Sequence, residues 1–168
     1  MKFELNEFNN YDVILVCGLP GSGKSFFAKH NFSESGRKRI NRAEIRKLMF
    51  EMTNFGKVWH ESDFNENDEA LTKHVERKII EHLLHYGDKL LIDNTSVTRH
   101  SRKNYIDISK SYNKKISVIF INTPVQKCLE RNRLREDKKP ENLISQLFSQ
   151  IELPDRKEGF EKVAIIDN

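Results

Sequence analysis

Apolar positions along this chain follow two rhythms that take turns. Val13-Ile14-Leu15-Val16-Cys17 is an unbroken apolar run rich in β-branched residues, which predicts a strand buried on both faces. Similar runs return at Lys89 to Asp93, at Ile116 to Ile121 and at Lys162 to Ile166, and a shorter strand with an exposed basic start is predicted at Arg37 to Asn41. Between the runs the apolar spacing lengthens to three and four, the period of a helix with one buried face. Ser25 to His30 reads as a helix, and Ile45, Leu48 and Met49 share a face of a helix over Arg42 to Phe50. Leu71, Val75, Ile79, Ile80, Leu83 and Leu84 mark a long one from Asn67 to Tyr86, which Gly87 ends. Ser96 to Tyr112 reads as a loop and helix, Pro124 opens a helix running through Leu134, and Glu136 to Pro140 breaks it before a last helix from Glu141 to Gln150. The stretch from Thr53 to Glu66 has no period and carries the single tryptophan, Trp59, as either a substrate loop or a surface linker. Alternating strands and helices predict a three-layer α/β/α domain over residues 1–168 with a mostly parallel sheet.

Composition narrows this picture only a little. A chain of 168 residues can bury a core without staples, and its two cysteines, Cys17 and Cys128, lack metal or redox spacing, so both read as buried thiols. His74, His82 and His85 share the long helix without an acidic partner spaced to complete a metal site. No apolar run approaches a membrane span, and Met1 to Glu7 has neither a secretion-signal core nor transit-peptide character, which together predict a cytoplasmic protein. A net charge of +4 suits a polyanionic partner but does not select one.

Candidate chemistry begins with Gly18-Leu19-Pro20-Gly21-Ser22-Gly23-Lys24-Ser25, a P-loop pattern lying between a predicted strand and a predicted helix. Glycines there let backbone N–H groups wrap a phosphate chain, and the helix N-terminus faces it with its positive end. Gly21, Ser22, Gly23, Lys24 and Ser25 are therefore expected to hold ATP or another nucleoside triphosphate, with Lys24 on the β and γ phosphates and the Ser25 hydroxyl on Mg2+. Phosphoryl transfer also needs a base, a group that holds the acceptor, and cations over the moving phosphoryl. Arg131 and Arg135, one helical turn apart, are candidates for those cations in a lid over roughly residues 131–150. Arg46 is placed either to hold an anionic acceptor or as an exposed helix charge, and Asp93 ends a strand at the edge where parallel sheets bind ligands.

Over nearly its whole length the chain resembles the P-loop polynucleotide kinases, through the P-loop, Asn41-Arg42-Ala43-Glu44-Ile45-Arg46, Asp93-Asn94-Thr95, Arg131-Asn132, and the closing Pro154 and Glu158-Gly159-Phe160. The resemblance implies a P-loop kinase fold with five strands in the order 2-3-1-4-5, and transfer of the ATP γ-phosphate to a 5′-hydroxyl end of RNA or DNA. It implies that Arg46 binds the phosphate next to the acceptor end, that Arg131 is the lid arginine, and that Asp93 lines the acceptor or magnesium side. The family's general base is an aspartate three residues before the arginine, and here that position is Ala43. Three explanations compete: an aspartate replaced by alanine, which is favoured; a takeover by Glu44 or Asp93; and a natural binder without activity. Two other functions stay open, a kinase of a small-molecule hydroxyl such as a sugar, an antibiotic or a nucleotide sugar, and a non-catalytic nucleotide-binding module.

Overall fold

Five parallel strands form one sheet in the order β2-β3-β1-β4-β5, in a computed structural model that describes residues 5–168. The strands are β1 (Val13–Cys17), β2 (Lys38–Ile40), β3 (Leu90–Asp93), β4 (Ile116–Asn122) and β5 (Lys162–Asp167). The first four residues of the Met1 to Glu7 stretch read above lie outside the described residues. The helices are α1 (Lys24–Phe32), α2 (Arg42–Thr53), α3 (Glu66–His85), α4 (Arg99–Ser111), α5 (Val125–Arg133) and α6 (Glu141–Ser149). This is the P-loop kinase arrangement of a three-layer α/β domain. No described helix is long and apolar enough to cross a membrane.

Strand alternation builds two cores, one on each face of the sheet. All five residues of β1 are fully buried. Val13, Leu15 and Cys17 join Leu90, Ile92, Val118 and Phe120 under α3, α4 and α6, while Ile14 and Val16 join Leu91, Ile119 and Ile121 under Phe8 and the α1 residues Ala28 and Phe32. Each such side chain contributes about 1.5–3 kcal/mol by leaving water. The central strand is therefore fixed from both sides, and so is the loop that leaves its C-terminal end.

Three details differ from the sequence pattern. Arg37 is not an exposed basic start: its guanidinium lies over the N-terminal edge of the sheet and donates to five carbonyl oxygens, those of Phe8, Asn9, Tyr11, Asp12 and Leu90. The guanidinium carries five N–H donors in a fixed planar fork, against three on a lysine ammonium, and so reaches more of these acceptors at once. The aperiodic stretch after α2 contains a 3-10 turn, Glu61–Asp63, and its Trp59 is buried at 6% exposure rather than displayed on a linker. Finally, α5 stops at Arg133, so Arg131 and Arg135 are not on one helix face. The buried Asn132 side chain exchanges hydrogen bonds with the backbone of Lys139, at 2.8 and 2.9 Å, and this folds the chain back before the proline is reached.

Candidate active site

Backbone geometry decides the first part of the site. Gly21 and Gly23 have φ of +82° and +92°, conformations that side-chain-bearing residues rarely adopt. A Cβ on Gly21 would also collide with the carbonyl oxygen of Cys128 in α5. These conformations carry the chain from the buried end of β1 into α1, whose first residue is Lys24. The Lys24 ammonium donates to the Leu19 carbonyl at 3.1 Å, and its pKa is lowered, chiefly because it is desolvated, with Asp93 opposing that effect.

Asp93, fully buried at the end of β3, is held by three elements. Its Oδ1 accepts from the Ser25 hydroxyl at 3.1 Å, and its Oδ2 accepts from Arg39 at 2.6 Å and from Asn41 at 3.2 Å. Asn41 also caps α2, its side chain accepting from the Glu44 N–H, and Asn94 accepts from the Arg42 N–H. The end of β3 thus pins the first turn of α2, the turn that carries Ala43, directly beside the Ser25 side of the P-loop. Behind it the buried Asn94, Glu76 and Tyr105 form a closed network with Arg42, with contacts of 2.5–3.0 Å. Burial and the Glu76 charge push the Tyr105 phenol upward, so it stays a neutral donor.

A cleft of ≈ 700 Å³ runs across these groups. Its walls bring together Gly21, Gly23, Lys24, Ser25, Ala43, Arg46, Asp93, Arg131 and Arg135, with Ser22 buried inside the loop. Arg131 reaches the P-loop from α5, its Nη1 donating to the carbonyls of Gly21 and Ser22 at 3.4 and 3.3 Å. Arg135 lies beyond the helix and forks onto Asp137 at 2.9 and 2.8 Å. Arg46 pairs with Glu69 at 2.7 Å and stacks between the rings of Trp59 and Phe64. It is neither free nor a simple exposed charge.

Each of the five carboxylates on the cleft wall is engaged by a cation. Glu44 holds Arg39, Glu61 holds Lys139, Glu69 holds Arg46, Asp93 holds Arg39, and Asp137 holds Lys47 and Arg135. Whether a triphosphate and its ion fit the donor side can be tested on the loop itself. The Ser22 hydroxyl is buried within the loop with no hydrogen-bond partner, an orphan of the kind that a bound group can satisfy. The Ser25 hydroxyl beside the Asp93 carboxylate is an all-oxygen pair of the kind magnesium accepts. The residues present fit both groups.

Sequence reasoning missed Arg39, Asn94, Glu76, Tyr105 and Asn168, whose side chain donates to the Ser22 carbonyl at 2.9 Å. Of these, Asn94 left a signal as part of the Asp93-Asn94-Thr95 motif, and Asn41, beside them, left one as an N-cap asparagine three residues before Glu44. Arg39 occupies an edge strand of three residues, too short for its alternation to show which way it faces.

Comparison with known proteins agrees with this fold. The chain is 23% identical over 145 residues to an L-seryl-tRNA(Sec) kinase of Methanococcus maripaludis, covering 86% of this chain and 54% of that one. It is 23% identical over 166 residues to a bifunctional polynucleotide phosphatase/kinase of Schizosaccharomyces pombe, covering 96% and 35%. It therefore spans about half and about a third of these relatives. A sugar kinase structure from Janibacter sp. HTCC2649 superposes with a TM-score of 0.64 at 15% identity, over 92% of this chain and 84% of that one. The AAA domain family matches residues 13–154, from the first residue of β1 to beyond α6, and the chain belongs to that family.

Proposed function

We propose that this chain holds ATP and magnesium on its P-loop and presents the γ-phosphate to the 5′-hydroxyl end of RNA or DNA, as a polynucleotide kinase site with alanine at the position of the general base. The observation that carries this reading is the single open cleft that joins Lys24 and Ser25 to Ala43, Arg46 and Asp93. Ser25, backed by Asp93, would hold the magnesium, which when bound neutralises charge on the triphosphate. Lys24 binds the phosphates, Arg131 and Arg135 shield the moving phosphoryl, and Arg46 takes the phosphate next to the acceptor end, displacing Glu69 from its guanidinium.

The shape of the acceptor side favours a polymer. The pocket enclosed by the segment around Trp59 and Phe64, with Arg46 and Phe50, is ≈ 40 Å³, whereas small-molecule sites occupy roughly 300–1,000 Å³. A sugar would have to sit in the ≈ 700 Å³ cleft itself, beside the triphosphate, and not in a pocket of its own.

Position 43 limits the rate. No cleft carboxylate stands free to replace the aspartate, because each is committed to a cation. Glu44, the nearest in sequence, is gripped through both oxygens by Arg39 at 2.9 and 3.0 Å. Ala43→Asp is therefore expected to raise ATP-dependent phosphorylation of a 5′-hydroxyl oligonucleotide by about 100- to 10,000-fold. The same observation favours one second reading, a module that binds nucleotide without transferring it. A variant that binds ATP and oligonucleotide yet gains no rate would select that module and reject the kinase.

A further inference from the structure

A second cleft, ≈ 350 Å³, lies between α3 and α4 and has no part in the donor or acceptor chemistry above. Lys73, His74 and Arg77 of α3 line one wall, and His100 and Asn104 of α4 line the other. Its floor is apolar, from Ile80 and Ile108. The one carboxylate among the lining residues is Glu76, which is buried and spent on Arg42 and Asn94. The open surface of the cleft is therefore cationic and donor-rich, and His100 stands in the first turn of α4, where the helix end adds positive potential. This cleft adjoins the first. Arg42 and Ser101 belong to the walls of both, so a chain leaving the Arg46 end of the active cleft past Arg42 would reach the groove between the helices.

We infer that this groove holds the sugar-phosphate backbone of the acceptor strand beyond its terminal nucleotide, with Lys73 and Arg77 on phosphates. The inference rests on the polynucleotide reading of the active cleft and adds to it a second subsite on α3 and α4. Its volume matches about one nucleotide by the usual size of small-molecule sites. Its floor would accept a base or sugar face while its rim takes the phosphates, a combination suited to single strands. A kinase of a small hydroxyl compound has no use for a cationic groove leading away from its reaction centre.

The test compares binding of a 5′-hydroxyl dinucleotide and a 5′-hydroxyl dodecanucleotide, labelled at the 3′ end, to the chain and to Lys73→Glu/Arg77→Glu. Both residues are exposed on α3, and Arg77 gives up only a surface pair with Glu81. A second double variant, Lys115→Glu/Lys157→Glu, changes the net charge equally at exposed positions outside both clefts. Expected is a loss of about tenfold or more in dodecanucleotide affinity for the groove variant, with the salt slope shallower by about 1.4 for two single-strand phosphate contacts. Dinucleotide and ATP affinities hold, and the control variant binds the dodecanucleotide within about twofold of the parent. Equal losses in the two double variants, or none in the groove variant while the parent binds the dodecanucleotide, would overturn the groove and leave the kinase reading standing. A parent chain that binds ATP but neither oligonucleotide would overturn the kinase reading itself, and the groove with it.

Discussion

The two halves of the active cleft are built by opposite means. On the donor side, a fully buried strand feeds a loop whose glycines are fixed by backbone conformation, with carbonyls of that loop tied to Arg131, Thr123 and Asn168. On the acceptor side, the groups that face the cleft are side chains held by one another, as Arg46 is by Glu69, Lys47 by Asp137 and Lys139 by Glu61. A backbone-built site offers one geometry. A site of mutually satisfied ion pairs can exchange a partner for a ligand at small net cost, because each cation trades a carboxylate for a phosphate. The donor half is thus suited to a constant ligand, the triphosphate, and the acceptor half to ligands that enter, displace a carboxylate and leave.

The sharpest way to break this contrast is to disturb each half with one substitution. Gly21→Ala places a side chain at φ +82° and against the Cys128 carbonyl. Strain of that kind is worth about 1–3 kcal/mol, so ATP affinity is expected to fall by about 5- to 140-fold, measured by calorimetry. A smaller loss would mean that the loop yields, contrary to its backbone-built description. Next in size, Arg46→Gln strips the acceptor half of a cation and leaves Glu69, only 13% exposed, without its partner. Oligonucleotide affinity is expected to fall roughly tenfold and stability by about 1–3 kcal/mol, with ATP affinity unchanged. Adding Glu69→Gln then separates two roles. Stability returns because no buried charge is orphaned, whereas oligonucleotide affinity stays low. If affinity returned with stability, Arg46 would be a structural cation and the exchange idea would be lost.

The same contrast explains what could be read from the sequence. The donor half was legible because its constraints are local: apolar β1, glycines at Gly21 and Gly23, and Lys24-Ser25 are contiguous, and each residue type is dictated by backbone or phosphate geometry. The alternation that splits Val13, Leu15 and Cys17 from Ile14 and Val16 follows from a similar short-range rule, whereas the strand order was implied by the family resemblance alone. The acceptor half depends on pairs distant in sequence. Lys47 meets Asp137 across 90 positions and Glu61 meets Lys139 across 78, and no period or motif announces such pairings. Trp59 was ambiguous for the same reason, since the cations over its ring, Arg46, Lys47 and Lys139, arrive from α2 and from the segment after α5. Reading Arg131 and Arg135 as one helix face failed because a side chain, Asn132, turned the backbone earlier than local propensity indicates.

The smallest expected effect concerns the floor beneath the donor half. Cys17 ends β1 just before the loop, and burial pushes its thiol up to about 12 from the ordinary 9.0, with Arg102 and Lys24 opposing that rise. The sign of the linkage follows from the raised value. The neutral thiol suits the folded state, so its contribution is complete below pH 9 and is lost as pH rises from about 9 towards about 12. At pH 8, then, neither Cys17 nor Cys128, both buried and both with raised pKa, is expected to react with an aromatic disulfide in the folded chain, while two thiols react after denaturation. Addition of ATP should leave this unchanged, since a floor already closed gains nothing from the ligand above it. Rapid labelling of the folded chain that ATP suppresses would reverse the comparison, making the donor half the mobile one and its order a consequence of the nucleotide.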